Sequence, residues 1–283
     1  MGVSGMKSGG CRFGGVREWC WDMGSDRAEA PGARASGTGE GLVEDPVEWA
    51  RTRLGFEADD KQAQVLRSES RRGILNCSRQ WGKSTVTAAK AVHYGMHHPK
   101  SLTIVVSPAV RQSRELVRKA SGFLERLGIR ARGDGGGDKS LVLPNGSRIV
   151  ALPGSESTVR GFSAVGLLLI DEAAGVSEDL YVAVRPMLAV SDGALWMMST
   201  PRGRRGFFYQ AWENGGPEWE RVEAPATECP RISRAFLERE QHDMGWREFQ
   251  QEYLCVFEDS VSKVFDSKLV DGSFSDDFEA MEL

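Results

Sequence analysis

Short apolar runs alternate along the chain with longer stretches in which apolar residues recur at helical spacing. The runs fall at residues 74–76, 102–106, 167–170 and 194–198. Runs of this kind are typical of strands that are buried on both faces of a parallel sheet. Helices are predicted at 60–66, 86–92, 110–127, 180–188 and 207–212. The alternation predicts an α/β fold with a mostly parallel, doubly wound sheet and helices on both faces.

One segment predicts antiparallel pairing instead. Apolar residues at 141–143 and 148–152 flank the turn sequence Pro144-Asn145-Gly146-Ser147. Because Asn-Gly accepts the positive φ angles of a tight turn, we expect a hairpin here.

The two ends of the chain differ from its middle. Residues 1–44 are rich in Gly, Ser, Ala and Arg and lack a sustained hydrophobic period, so we expect a disordered or low-complexity extension. A folded domain is expected at 45–265, followed by an acidic linker or tail at 266–283.

Composition narrows the class of protein. A formal net charge of −4 gives no global signature of nucleic-acid binding, so any DNA contact is expected from a local patch. The five cysteines are an odd number without a C-x-x-C pair, which favours a reducing compartment over a disulfide framework. No apolar run approaches the roughly 20 residues of a membrane span.

The segment from Cys77 to Thr85 predicts a phosphate-binding loop. It reads Cys-Ser-Arg-Gln-Trp-Gly-Lys-Ser-Thr and stands between a predicted strand and a predicted helix. The pattern G-x-x-x-x-G-K-S/T requires this setting, although Cys77 replaces its first Gly. The nucleotide-binding candidates are Ser78, Arg79, Gln80, Trp81, Gly82, Lys83, Ser84 and Thr85. The alternative is a glycine turn that caps a helix beside an exposed lysine.

Each of two side chains in this loop has an expected partner. Lys83 is placed to reach the β- and γ-phosphates of a nucleotide, and the Ser84 hydroxyl to coordinate Mg²⁺. The replacement of the first Gly by Cys77 leaves open a loop that binds nucleotide weakly.

An acidic pair, Asp171-Glu172, ends the apolar run at 167–170. Ligands of open α/β sheets bind at the carboxyl ends of the strands, so the pair is expected to face Lys83. Asp171 is predicted to hold Mg²⁺ and Glu172 to deprotonate an attacking water. The alternative is an exposed pair that caps the next helix.

Four motifs together resemble the ATPase half of the large terminase subunit of tailed bacteriophages. They are the loop with Arg79-Gln80 before Gly82-Lys83-Ser84, Gln62 with Phe56 upstream, the acidic strand 168–173, and Ser199-Thr200-Pro201-Arg202-Gly203. The resemblance spans about 47–265. It implies a P-loop NTPase fold of the ASCE type, with Gln62 reading adenine and with Ser199, Thr200 and Pro201 coupling nucleotide state to DNA movement.

The resemblance also implies cofactors and partners. ATP and Mg²⁺ would drive double-stranded DNA into a procapsid in the cytoplasm of a bacterial host. The motor would be a homo-oligomeric ring, usually of five subunits, on the portal protein, with a small terminase subunit selecting the DNA. Arg160 is the first candidate for an arginine that reaches the neighbouring subunit's γ-phosphate; the alternative is a solvated loop arginine. Arg79 is the second candidate, or acts in cis on the phosphates of its own subunit.

Three further groups have less specific patterns. Arg202, Arg204 and Arg205 form a basic stretch that either contacts DNA phosphates or is a solvated turn. His93 and His97 are four residues apart, without a third ligand at zinc spacing. Residues 246, 249, 253 and 257 are aromatic and are predicted to form the buried face of a helix.

No nuclease activity is expected from this chain, because the resemblance ends near 265 and the acidic residues after it lie too close to the end of the sequence to be carried by a nuclease fold. A shortened chain, a prophage remnant and one part of a split gene all fit that expectation. Two other functions stay open: a DNA-dependent ATPase of helicase type, and a catalytically weak fragment that binds ATP or only partner proteins.

Overall fold

The computed structural model describes residues 44–131, 140–152 and 161–258. In these ranges seven strands form one sheet in the order β3-β4-β2-β5-β6-β1-β7. The strands are β1 (Arg72–Cys77), β2 (Leu102–Val106), β3 (Ser140–Val142), β4 (Arg148–Ala151), β5 (Leu167–Asp171), β6 (Ala194–Ser199) and β7 (Glu220–Ala224). Neighbouring strands are parallel, except for the antiparallel pair β3–β4. Both the parallel sheet and the hairpin are therefore confirmed.

Eight α-helices lie within the described residues. They are α1 (Pro46–Leu54), α2 (Asp60–Arg67), α3 (Lys83–His97), α4 (Val110–Arg126), α5 (Glu178–Val184), α6 (Gly206–Asn214), α7 (Arg234–Asp243) and α8 (Trp246–Leu254). Short 3₁₀ segments cover Ala173–Gly175, Arg185–Leu188 and Ala226–Glu228. None of the described helices is long and apolar enough to cross a membrane.

The sheet is covered on both faces, as its continuous apolar strands predict. Successive side chains of a strand point to opposite faces, so Leu75 and Ile74 of β1 belong to different cores. Leu75 packs in a cluster that includes Leu116 of α4, and Ile74 in one that includes Phe208 of α6. Because β1, β2, β5 and β6 are parallel, their carboxyl ends share one edge of the sheet.

Several predicted details are wrong. The helix expected at 180–188 ends at Val184 and continues as a 3₁₀ segment, because Pro186 has no backbone N–H to donate within a helix. Trp246 is 53% exposed rather than core. Phe257 is buried but lies beyond the end of α8, where it packs against the rings of α6.

Other expectations cannot be compared with coordinates. The extension at 1–44 (apart from residue 44) and the tail at 266–283 lie outside the described residues. So does Arg160, the first candidate for the trans-acting arginine.

Candidate nucleotide-binding site

The predicted loop connects β1 to α3 at the carboxyl edge of the sheet. Its last residue, Gly82, has φ 101°, a conformation that glycine adopts without strain, and α3 begins at the next residue, Lys83. The turn directs the first N–H groups of α3, which have no partner within the helix, toward the space above the sheet. Gln80 also has a positive φ, 63°.

Cys77 takes the place of the first Gly without opening the loop. Its side chain is fully buried, with Sγ 3.9 Å from the carbonyl oxygens of Leu75 and Ser199. Burial raises the pKa of the Cys77 thiol to about 12, so it is neutral at physiological pH. The substitution is therefore accommodated in the core beneath the loop.

Lys83 lies at the centre of the site. Its side chain is nearly buried, and Nζ lies 3.0 Å from Oε1 of Glu172. Burial alone would lower the pKa of Lys83, but the neighbouring carboxylates of Glu172 and Asp171 oppose it, and the pKa is raised. The ammonium is therefore charged and directed at the acidic pair.

Asp171 ends β5 beside the loop. One carboxylate oxygen accepts a hydrogen bond from Oγ of Ser84 at 3.2 Å, and the other accepts one from the backbone N–H of Glu172 at 3.1 Å. Burial raises the pKa of Asp171 to about 6, although Lys83 opposes the shift. The Ser84 hydroxyl and this carboxylate are the hard oxygen donors that Mg²⁺ prefers.

Glu172 adopts a strained backbone conformation. Its φ and ψ are 52° and 44°, the left-handed region that non-glycine residues rarely enter. Such strain costs on the order of 1 kcal/mol or more and persists where the surrounding structure enforces it. Here it turns the chain sharply after β5, where the Glu172 carboxylate contacts Lys83.

Two polar cavities adjoin at this edge. The larger, about 600 Å³, is lined by Arg79, Gln80, Gly82, Lys83, Ser84, Thr85, Gln112, Lys119, Glu172 and Arg231. The second, about 430 Å³, is lined by Glu172 together with Ser199, Thr200, Pro201 and Arg202. Both volumes are in the range of small-molecule sites. Arg79, Gln112 and Glu172 line both cavities.

Three of the residues that were predicted to bind nucleotide are instead buried within this chain. Ser78 and Trp81 are buried under the loop. Gln62 is 2% exposed; its Nε2 donates to the Trp81 carbonyl at 3.0 Å, and its Oε1 accepts from the Asp59 N–H at 3.2 Å. The amide of Gln62 thus holds the loop in place.

Arg79 contacts the C-terminal part of the fold. Its guanidinium pairs with the carboxylate of Glu252 in α8, and its backbone N–H donates to the Glu252 carbonyl at 3.1 Å. The side chain is 66% exposed and lines both cavities. It stands at the mouth of the site rather than in its floor.

The residues predicted to couple nucleotide state to DNA movement, Ser199, Thr200 and Pro201, line the same cavity as Glu172. Oγ of Ser199 accepts a hydrogen bond from the backbone N–H of Ala174 at 3.2 Å, which ties the end of β6 to the segment after Glu172. Thr200, Pro201 and Arg202 line the same cavity as Glu172. The end of β6 and Glu172 are therefore neighbours in the fold.

The basic stretch after β6 divides into two kinds of side chain. Arg202 and Arg205 are exposed. Arg204 is half-buried and donates from Nε to the Phe257 carbonyl at 3.2 Å. Arg204 is thus a bridge within the fold, while Arg202 and Arg205 remain the candidates for DNA phosphates.

The fold brings three unpredicted side chains to the larger cavity. Gln112 and Lys119 come from α4, and Arg231 follows β7 and bonds to the Trp81 carbonyl and to Asp59. Gln112 and Lys119 are seven residues apart, so they share one face of a helix. Their spacing on a predicted helix could have indicated that Gln112 and Lys119 face the same side. No comparable pattern in the sequence points to Arg231.

The two candidate zinc histidines pack as aromatic rings. His93 and His97 have centroids 4.1 Å apart, and both contact the ring of Trp49 edge-on. Nδ1 of His97 lies 2.8 Å from the His93 carbonyl oxygen. They belong to a surface cluster on α1 and α3.

Residues 74–270 match the model of the family described as the N-terminal part of the terminase large subunit, T4likevirus-type. The chain belongs to this family. The match covers the phosphate loop, α4 and Glu172 after the acidic strand, all of which line the larger cavity.

Curated relatives and solved structures agree with this assignment. The large terminase subunits of Thermus phage G20c and Thermus virus P23-45 are each 25% identical over 253 residues, covering 75% of this chain and 51% of the relative. The chain thus spans about half the length of these relatives. The ATPase domain of the Thermus phage P74-26 large terminase has a TM-score of 0.66 at 21% identity, covering 75% of this chain and 99% of that domain.

A second solved structure is a large terminase from a thermophilic bacteriophage in complex with ADP. Its TM-score is 0.62 at 18% identity, over 70% of this chain and 53% of that one. At these identities the solved structures show only the fold of the chain, a mostly parallel α/β sheet with helices on both faces.

Proposed function

We propose that this chain is the ATP-hydrolysing motor part of a genome-packaging terminase, which couples hydrolysis to translocation of double-stranded DNA into a procapsid. The observation that carries the proposal is that Lys83, Ser84 and Glu172 line one polar cavity at the carboxyl edge of the sheet, with Asp171 hydrogen-bonded to Ser84. That set combines a phosphate-binding cation, hard oxygen donors and a carboxylate base.

The residues have distinct roles in this mechanism. The N–H groups at the start of α3 and the Lys83 ammonium neutralise the β- and γ-phosphates. When the terminal phosphate binds the Lys83 ammonium in place of Glu172, the Glu172 carboxylate is free to orient and deprotonate the attacking water. Its 3.0 Å contact with Lys83 supports this exchange of partners.

Mg²⁺ fits the oxygen donors of this site. Ser84 and Asp171 would hold it, and the ion would supply charge neutralisation of the phosphate oxygens. The 3.2 Å contact between the Ser84 hydroxyl and Asp171 supports a shared position for these two donors.

The proposed partners are double-stranded DNA, a portal protein, a small terminase subunit and further copies of this chain in a ring, within the cytoplasm of a bacterial host. Arg160 is proposed to reach the γ-phosphate bound by the neighbouring copy, with Arg79 acting on the phosphates from its own copy. The exposure of Arg202 and Arg205 supports their contact with DNA phosphates.

Steady-state ATP turnover with Mg²⁺ tests the proposal. Lys83→Ala is expected to lower turnover at least about a hundredfold, because the phosphates lose their buried cation. Lys61→Ala is the matched control, since that lysine is partly exposed and its ion pair with Glu228 is long, at 3.8 Å. Duplex DNA and a portal protein are expected to stimulate wild-type turnover without strand separation.

Two outcomes would overturn the proposal. If wild-type turnover is absent even with duplex DNA and portal protein, the chain is a catalytically inactive ATP-binding protein or a partner-binding fragment. Strand separation of duplex DNA coupled to turnover would instead indicate a motor of helicase type.

A further inference from the structure

Ser107, the residue after β2, carries a buried hydroxyl that the fold leaves unpaired. Its side chain is fully buried, and its Oγ has no hydrogen-bond partner among the residues that the structure describes. Buried hydroxyls in proteins are nearly always hydrogen-bonded, because removing one from water without a new partner costs free energy. An unpaired one points to a partner that the chain itself does not supply.

The register of the sheet places Ser107 beside Asp171. β2 and β5 are parallel, with Val106 beside Ile170, so the next residues along the two strands are Ser107 and Asp171. Val106 and Ile170 belong to the core that contains Phe208. Because successive side chains alternate between the two faces of a sheet, Ser107 and Asp171 both face the opposite side, which α3 and α4 cover.

Asp171 does not use the neighbouring hydroxyl. Its two carboxylate oxygens accept hydrogen bonds from Oγ of Ser84 at 3.2 Å and from the backbone N–H of Glu172 at 3.1 Å. The Ser107 hydroxyl therefore lies next to the two proposed Mg²⁺ donors, Ser84 and Asp171, without joining their hydrogen bonds.

Polar space adjoins this part of the sheet. Pro108, the residue after Ser107, lines the second cavity together with Glu172. Gln112, in the first turn of α4, lines both polar cavities. Mg²⁺ dehydrates reluctantly and keeps several waters when a protein supplies only one or two ligands, so waters of a bound ion have room here.

Position, rather than the missing partner alone, singles out Ser107. Oγ1 of Thr103 is also buried without a hydrogen-bond partner in the described part of the chain. Thr103 lies on the same face of β2 but four residues earlier, about 13 Å away at the usual rise of a strand. Its neighbours across the sheet are the apolar residues Leu167 and Ile149. Thr103 is therefore an internal control for an unpaired hydroxyl outside the site.

We propose that Ser107 is a positioning residue of the Mg²⁺ site, whose hydroxyl oxygen accepts a hydrogen bond from a water bound to the ion. Ser84 and Asp171 hold the ion, and Ser107 fixes one of its waters from the side of β2. This inference rests on the proposed function, because it presumes that the loop binds a nucleotide with Mg²⁺. It adds the end of β2 to a site otherwise built at the ends of β1 and β5.

Calorimetric titration of the whole chain with ADP, once in excess Mg²⁺ and once in EDTA, tests the proposal. The ratio of the two affinities measures what the ion contributes to binding. Ser107→Ala is expected to lower this ratio about tenfold or more, as the loss of a group that orients metal ligands typically does. The affinity in EDTA is expected to change less than about twofold, because the hydroxyl acts only through the ion.

Two matched variants control for the substitution itself. Thr103→Val removes the other unpaired hydroxyl of β2 and is expected to leave the ratio unchanged. Ser107→Cys fills the space of the serine with a weak hydrogen-bonding group and is expected to lower the ratio as Ser107→Ala does. A ratio restored to the wild-type value in Ser107→Cys would show that volume rather than hydrogen bonding matters, and would overturn the proposal.

Thermal unfolding of the nucleotide-free protein in EDTA gives a second readout. Because Ser107→Ala removes a buried hydroxyl that has no partner, its melting temperature is expected to equal or exceed that of wild type. A lower melting temperature would assign the hydroxyl to a structural hydrogen bond and contradict the inference.

The outcomes separate this inference from the proposed function. Failure of the wild-type chain to bind ADP in either condition would overturn both. If wild type binds ADP and Mg²⁺ raises the affinity of Ser107→Ala by the same factor, only this inference is wrong. Equal losses of ADP affinity in Mg²⁺ and in EDTA would also overturn it alone, since Ser107 would then act on the loop rather than on the ion.

Discussion

Nζ of Lys83 and Oε1 of Glu172 form an ion pair at 3.0 Å, although 89 residues separate them in the chain. The phosphate-binding cation and the proposed base thus neutralise each other within the site. In the proposed mechanism a nucleotide phosphate competes with Glu172 for the Lys83 ammonium. The pair would then couple occupancy of the loop to release of the base.

Glu172→Gln tests that coupling. We expect kcat for ATP hydrolysis to fall by a factor of about 10² to 10⁴, because the amide cannot accept the proton of the attacking water. Nucleotide affinity is expected to stay equal or to rise, since the phosphate no longer competes with a charged partner for Lys83. Turnover at the wild-type rate would show that Glu172 is not the base.

Arg79→Ala separates the catalytic role of this arginine from its contact with Glu252. We expect kcat to fall about tenfold or more, because charge spread over the transferring phosphoryl group loses a cation. The free energy of unfolding should change by less than about 1 kcal/mol, since the Arg79 side chain is 66% exposed and its ion pair is screened by solvent. Glu252→Gln is the control, because it breaks the pair and keeps the arginine. An unchanged kcat in Arg79→Ala would remove Arg79 from the mechanism.

Gly73→Ala should destabilise the fold by about 2–3 kcal/mol. Gly73 of β1 lies beside Trp196 of β6 in the sheet, and an added Cβ would overlap the fully buried ring of Trp196. The ring cannot move away easily, because its Nε1 donates to the Ser70 carbonyl and Lys90 packs over its face. Urea unfolding measures the effect; Gly122→Ala, which meets open space, is the control and should be neutral or stabilising. Equal stability of the two variants would contradict the close packing at Gly73.

The lowered pKa of His93 predicts that the free energy of unfolding falls in acid. Burial, with smaller contributions from the positive charges of His97, Lys90 and His98, lowers the pKa of His93 from 6.5 to about 4. Between these values the unfolded chain binds more protons than the folded one, so the free energy of unfolding falls as the pH drops from 6.5 toward 4. The contribution is about 1 kcal/mol, well below the full linkage value, because the half-buried ring is partly screened by solvent.

His93→Phe is the matching variant, since it keeps an aromatic ring against Trp49. We expect its stability between pH 6.5 and 4.5 to fall less steeply than that of wild type in urea titrations. His242→Phe, at an exposed side chain, should leave the slope unchanged. A wild-type slope in His93→Phe would assign the acid sensitivity to other groups.

Local patterns were sufficient to predict most of the elements. The strand at 102–106 and the helix at 110–127 agree with β2 and α4 to within a residue, because continuous apolar runs and helical periods are local properties of the chain. The partly polar strand β7 and helices α1 and α7 lack such clear periods. Trp246 was misassigned because spacing alone does not say which aromatic side chain is covered.

The amino-acid sequence by itself determined the phosphate loop, the acidic pair and the parallel sheet, since each depends on residues that are adjacent or regularly spaced. Only the tertiary structure decided how they meet: that Glu172 pairs with Lys83, that Glu252 holds Arg79, and that α4 brings Lys119 to Thr85. The physical reason is that these contacts depend on strand order and helix packing, which arise from burial of side chains far apart in the chain.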